Sequence, residues 1–128
     1  VTETEISKKL TEILRKEHKA EILKLHGHGW QAPGWPDMYI VHQRFTGWLE
    51  TKGKHTELSI KQVKVFKKLY EHGVYVIILR FITDRYWVLE DLDGVFDEFR
   101  FDTWKQGVDY LLDSLYVAIG ERHGIRTD

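Results

Sequence analysis

The stretch that most constrains this chain is VYVIILRF, residues 74–81, in which apolar side chains run almost without a break. A strand that buries one face alternates apolar and polar residues; a continuous run of this length needs cover on both faces. Such cover comes from layers of helix packed on the two sides of a sheet. The flanking segments supply candidates. Ile6, Leu10, Ile13 and Leu14 fall at helical spacing within residues 2–18, with Thr2 or Thr4 as N-cap. SIKQVKVFKKLYEHG reads as an amphipathic helix capped by Ser59, with Val63, Phe66 and Leu69 or Tyr70 as its stripe and Gly73 at its end. DTWKQGVDYLLDSLYVAIG reads as a helix beginning near Asp102.

Strand signals fill the intervals. DMYIVHQ and FTGWLETK form a hairpin with its connection at Gln43–Arg44 or shifted toward Thr46–Gly47, RYWVLED follows a turn at Thr83-Asp84, and residues 94–101 add a short strand. AEILKLH, residues 20–26, is either a strand or the end of the first helix. GHGWQAPGWP, rich in glycine and holding both prolines of the chain, is a loop. The order of elements predicts an α/β sandwich or a mixed α+β domain, one domain spanning 1–128.

Cysteine is absent, which removes disulfides and thiolate metal sites from consideration. No apolar run is long enough to span a bilayer, and the charged N-terminus is unlike a secretory signal, so the expectation is a cytoplasmic protein, or one of the host cytoplasm if the source is viral. The net charge of −1 hides an asymmetry. Residues 1–80 carry 14 Lys and Arg against 9 Asp and Glu, and residues 81–128 carry 5 against 11. A polyanion would be drawn to the first part.

That basic part holds charges where strands rarely place them. With a two-residue turn at Gln43–Arg44, Asp37 stands opposite Glu50, while strand alternation puts Glu50 and Lys52 on one face and Thr51 on the other. Adjacent carboxylates repel unless a cation neutralises them. An all-oxygen donor set favours Mg²⁺ or Mn²⁺, and magnesium characteristically recruits substrate phosphate. Phosphodiester hydrolysis is the matching chemistry. Taken singly, each residue also has a plain structural role: Asp37 as a turn residue, Glu50 and Lys52 as an edge-strand pair, Gln62 on a helix surface.

The order Gly34-Trp35-Pro36-Asp37, Glu50-Thr51-Lys52, then Ser59 and Gln62 on a helix before an apolar strand resembles the PD-(D/E)xK nuclease superfamily, most of all its virus-type replication–repair (VRR-NUC) domain. The likeness covers residues 3–81 and leaves 82–128 as an acidic extension. It implies an α/β restriction-endonuclease-like core, a mixed central sheet flanked by helices, and a Mg²⁺- or Mn²⁺-dependent DNA endonuclease selective for junctions, flaps or other branched DNA. The resemblance makes Asp37, Glu50 and the Thr51 backbone carbonyl metal ligands, with Glu3, or Glu5 in its place, joining them if a second ion binds. Lys52, a poor base near neutrality like any lysine, would position water and stabilise phosphorane charge, with Gln62 helping to orient that water or Lys52.

Lys8, Lys9, His28, Lys54, His55, Lys61 and Lys64 form the expected nucleic-acid surface. His26 and His28 lack the third ligand that zinc would need, and contact with phosphate suits them better. Trp30 and Trp35 either stack on an unpaired base or pack over the hairpin, whereas Trp48, Trp87 and Trp104 are core candidates. A chain this small cutting one strand per site suggests a homodimer. The rival from another class is a non-catalytic nucleic-acid-binding or assembly domain of the same fold, and nothing here separates DNA from RNA.

Overall fold

A computed structural model describes residues 2–25 and 33–122 of the chain. The elements run α1 (Glu3–His18), β1 (Glu21–Lys24), β2 (Met38–Val41), β3 (Thr46–Gly53), α2 (Ile60–Glu71), β4 (Val76–Thr83), β5 (Tyr86–Asp91), β6 (Gly94–Arg100) and α3 (Trp104–Arg122). The six strands form one sheet in sequence order, β1 to β6. All neighbours are antiparallel except β3 and β4, which are parallel because α2 carries the chain back between them.

Helices cover both faces, as the apolar run in β4 demands. On one face Ile6, Leu10 and Leu14 of α1 and Val108, Leu111, Leu112 and Leu115 of α3 pack with Leu49, Ile77, Leu79, Trp87 and Leu89. On the other, Phe66 of α2 packs with Val76 and Ile78, supported by Trp48, Leu58, Val65 and Leu69. Within the α2 stripe Phe66 alone is fully buried, and Val63 is only partly covered.

Local chemistry sets the boundaries. Thr2 caps α1, its Oγ1 accepting from Glu5 N at 3.1 Å. Lys19 takes a left-handed conformation (φ 58°) and ends that helix, so the ambiguous segment 20–26 becomes strand β1. Thr103 caps α3, one residue beyond the expected start, with Oγ1 accepting from Gln106 N. The β4–β5 turn lies at Asp84–Arg85, one residue on from Thr83–Asp84. The acidic region is no appendage: β5, β6 and α3 complete the sheet, and Trp87 stands at the centre of an aromatic cluster with Phe81, Phe99, Phe101 and Trp104.

Candidate active site

The hairpin register decides where the charges meet. His42 and Phe45 exchange both backbone hydrogen bonds around Gln43–Arg44, and Met38 pairs with Leu49. Asp37 therefore follows opposite Glu50, and its N–H donates to Glu50 Oε1 at 3.0 Å. The loop before Asp37 is seated on α2 at Gly34, which has φ 85° and whose absent Cβ would come within 2.6 Å of the Lys61 carbonyl oxygen. No other residue type fits that approach without strain. Trp35 packs edge-on against Trp48, which in turn meets Tyr39, so the hairpin surface receives this tryptophan.

Alternation along β3 splits the motif between the two faces. Thr51 holds Asp37, donating from both N and Oγ1 to Oδ2 at 2.8 Å. Glu50 and Lys52 turn toward α2, 2 % and 8 % exposed. There Gln62 Nε2 donates to Glu50 Oε2 at 2.9 Å, and Lys52 Nζ donates to Gln62 Oε1 at 3.0 Å. Lys52 Nζ also lies 3.4 Å from Glu50 Oε2. Gln62 is fixed by a capping box: Ser59 N donates to its Oε1 at 2.9 Å, and its own N donates to Ser59 Oγ at 3.1 Å.

Burial raises the Glu50 carboxyl to about 7, and the neighbouring Asp37 charge adds to the effect; Lys52, Gln62 and the Asp37 N–H act against it. A buried carboxylate beside a second negative charge gains from a hard cation. The donors Asp37, Glu50 and the Thr51 carbonyl suit magnesium or manganese in type. Among the described residues, however, no three His, Cys, Asp or Glu side chains are gathered into a metal-binding group. The carboxylates are instead held by protein donors.

A cavity of about 460 Å³ opens beside Asp37, lined by Glu3, Thr4, Ser7, Lys8, Lys24, Met38 and Thr51. Glu3 belongs to it and Glu5 does not; a Cβ on Gly53 would stand 3.0 Å from Glu3 Oε2, so that carboxylate reaches the end of β3. Lys8 faces the cavity, whereas Lys9 turns away, its Nζ 4.6 Å from the Trp104 ring centroid. Lys54, His55, Lys61 and Lys64 are exposed around the start of α2 and the loop before it. His26, His28 and Trp30 lie outside the described residues.

Lys24 escaped the motif reading. The β1–β2 register pairs it with Met38, next to Asp37, and burial, then Arg15, lowers its pKa while Asp37 opposes that shift. Extending the strand pairing to the ambiguous segment 20–26 would have found it. Arg80 was also missed, because nothing local in an apolar run ties an arginine to the motif; it lies beside Lys52 in the parallel register.

No protein-family model and no curated protein matches the sequence. Among solved structures, the chain is similar to Archaeoglobus fulgidus Hjc, a Holliday junction resolvase from an archaeal hyperthermophile, with a TM-score of 0.54 at 15 % identity over 88 % of this chain and 98 % of that one. The two share a restriction-endonuclease-like α/β fold with a mixed sheet between helices.

Proposed function

We propose that the chain is a Mg²⁺- or Mn²⁺-dependent endonuclease that hydrolyses phosphodiester bonds in branched DNA, with the VRR-NUC domain as the nearest pattern. The observation that carries this reading is the joining of Asp37, from the loop before β2, Glu50 and Lys52 of β3 and Gln62 of α2 into one hydrogen-bonded centre at a sheet end. The fold shared with a Holliday junction resolvase supports the substrate class.

Asp37, Glu50 and the Thr51 carbonyl would hold the cation, with Glu3 from across the cavity for a second. When bound, the ion supplies Lewis acidity toward the phosphate and toward water. Lys52 places a positive charge against the phosphate oxygens, where charge builds in the transition state. Gln62 holds Lys52 in that position and keeps Glu50 oriented. Lys8, Lys54, His55, Lys61 and Lys64 contact the flanking backbone, aided by the N–H groups at the start of α2. Two copies are needed to cut two strands, which makes a homodimer the working form.

A non-catalytic DNA-binding domain is the second reading, favoured by the hold that protein donors have on both carboxylates. Incubation with labelled linear duplex, single strand, flap and four-way junction in Mg²⁺, Mn²⁺ or EDTA separates the two. Cleavage of branched substrates that EDTA stops supports the nuclease; binding without cleavage under every condition supports the second reading.

A further inference from the structure

Lys52 and Gln62 are joined by a segment that leaves the sheet at Gly53, turns with Thr56 N donating to Gly53 O at 3.4 Å, and ends on the Ser59 cap. Residues 54–57 are exposed, so packing does not fix their path. A guanidinium does. Arg80 Nη1 donates to Gly53 O at 2.8 Å and to Thr56 O at 2.6 Å. Its Nε and Nη2 donate to the two Glu90 oxygens at 3.3 and 2.8 Å. The Arg80 and Glu90 side chains are 15 % and 19 % exposed, which shields the pair from solvent. Glu90 stands opposite Ile78 on β5, and Arg80 stands beside Lys52, so sheet register brings clamp and site to one face.

We infer that Arg80, backed by Glu90, is a positioning residue of the nuclease centre proposed above, and the inference rests on that reading. By tying both ends of the Gly53–Thr56 turn to the sheet, Arg80 sets where β3 releases the chain after Lys52 and where the Ser59–Gln62 capping box begins. The planar fork reaches a carboxylate and two carbonyls at once; a lysine ammonium, a compact point charge, does not reproduce that spread. Because four of its five N–H donors are committed to Glu90 and the turn, Arg80 acts through Lys52 and Gln62 rather than as a phosphate contact.

The test compares wild type with Arg80→Lys. The double variant Arg80→Met/Glu90→Met stands beside it, since it leaves no buried carboxylate without a partner should the single variant fold poorly. Four readouts are taken: kcat and KM on a four-way junction with Mg²⁺, junction affinity in EDTA, and amide hydrogen exchange. Both variants should lose roughly 10²-fold in kcat, the scale of a small misplacement of reacting groups, with KM and affinity unchanged. Exchange at Thr56, Ser59 and Gln62 should quicken by about tenfold or more while Ile78 and Leu89 stay protected. Weaker junction binding with kcat preserved makes Arg80 a substrate contact and overturns the inference. A lowered melting temperature with kcat and exchange unchanged makes it structural only and overturns it too. If wild type cuts nothing, the nuclease reading falls by itself, and the exchange data still decide whether Arg80 holds the turn.

Discussion

Gln62 donates its side-chain amide to Glu50 Oε2 at 2.9 Å, joining α2 to the buried end of β3 across 12 residues of sequence. The same amide group accepts from Lys52, so one residue fixes both partners of the ion pair.

Gln62→Met should therefore cost more in rate than in stability. The helix keeps the bond from the residue 62 N–H to Ser59 Oγ and loses only the reciprocal bond from Ser59 N, while Lys52 and Glu50 lose a common partner. Cleavage should fall by roughly 10²-fold, as when an orienting donor is removed from an active site. Ser59→Ala should lower stability by about 1 kcal/mol through the lost cap. Junction cleavage rates and urea melts on the two variants check this; a Gln62→Met enzyme cutting at the wild-type rate removes Gln62 from the centre.

The basic surface makes a salt-dependence prediction. Lys54 and Lys61 are exposed beside the start of α2, whereas Lys105, on α3, is 73 % exposed and 3.8 Å from Glu17. Junction affinity should fall with salt at a log–log slope of about −0.9 per neutralised phosphate. Lys54→Glu/Lys61→Glu should flatten that slope and weaken all sequences alike, and Lys105→Glu should leave it in place. Titrations at several salt concentrations decide; a larger effect from Lys105→Glu moves the substrate path to α3.

Much of this centre was legible in the sequence because strand periodicity and one turn are enough to place it. A two-residue connection at Gln43–Arg44 fixes the pairing of Asp37 with Glu50, and the Ser59 cap with Gln62 three residues on is a local signal. What sequence could not give is the hydrogen bonding across elements. Thr51 holding Asp37 depends on which carboxylate rotamer wins, and Arg80 clamping the turn depends on a parallel register set by α2. The role of the acidic region was illegible for another reason. Most of its charges lie on exposed positions, while its apolar residues reach the core only once β5 and β6 extend the sheet.

Trp87 anchors that extension. It is fully buried, and among the described residues its Nε1 has no hydrogen-bond partner. Trp87→Ala should cost about 3–5 kcal/mol by leaving a cavity among four aromatic neighbours. Trp87→Phe should cost far less, because it also removes a buried N–H whose lack of a partner is worth about 1–3 kcal/mol. Chemical denaturation measures both; equal losses would mean that the indole N–H is satisfied in solution.

His42 makes stability depend on pH. Burial lowers its pKa below the ordinary 6.5, and the Arg44 and His18 charges add to the shift. The charged and titratable groups around it are Arg44 on the turn, His18 on α1, and Asp109 and Asp113 of α3, which pair with Arg44. A depressed histidine pKa means that the unfolded chain binds more protons, so its contribution is intact above pH 6.5 and is lost as pH falls toward the folded value. His42→Asn, whose carbonyl can accept from Arg44 N as Nδ1 does, should be less acid-sensitive than wild type. Melting temperatures between pH 7.5 and 5 check this, and identical acid losses in the two proteins would remove His42 as the cause.

The most direct test of the proposed chemistry is single-turnover cleavage of a labelled four-way junction by wild type, Asp37→Asn, Glu50→Gln and Lys52→Ala, each with Mg²⁺, Mn²⁺ or EDTA, alongside calorimetric Mn²⁺ binding. Wild type should cut with either ion and stop in EDTA. Asp37→Asn and Glu50→Gln should lose both cleavage and ion binding while remaining folded. Lys52→Ala should lose roughly 10²–10³-fold in rate, the scale for removing one donor of transition-state charge stabilisation, yet still bind the ion. Undiminished cleavage by wild type in excess EDTA, or by any of the three variants with metal present, would contradict the assignment of hydrolysis to this centre.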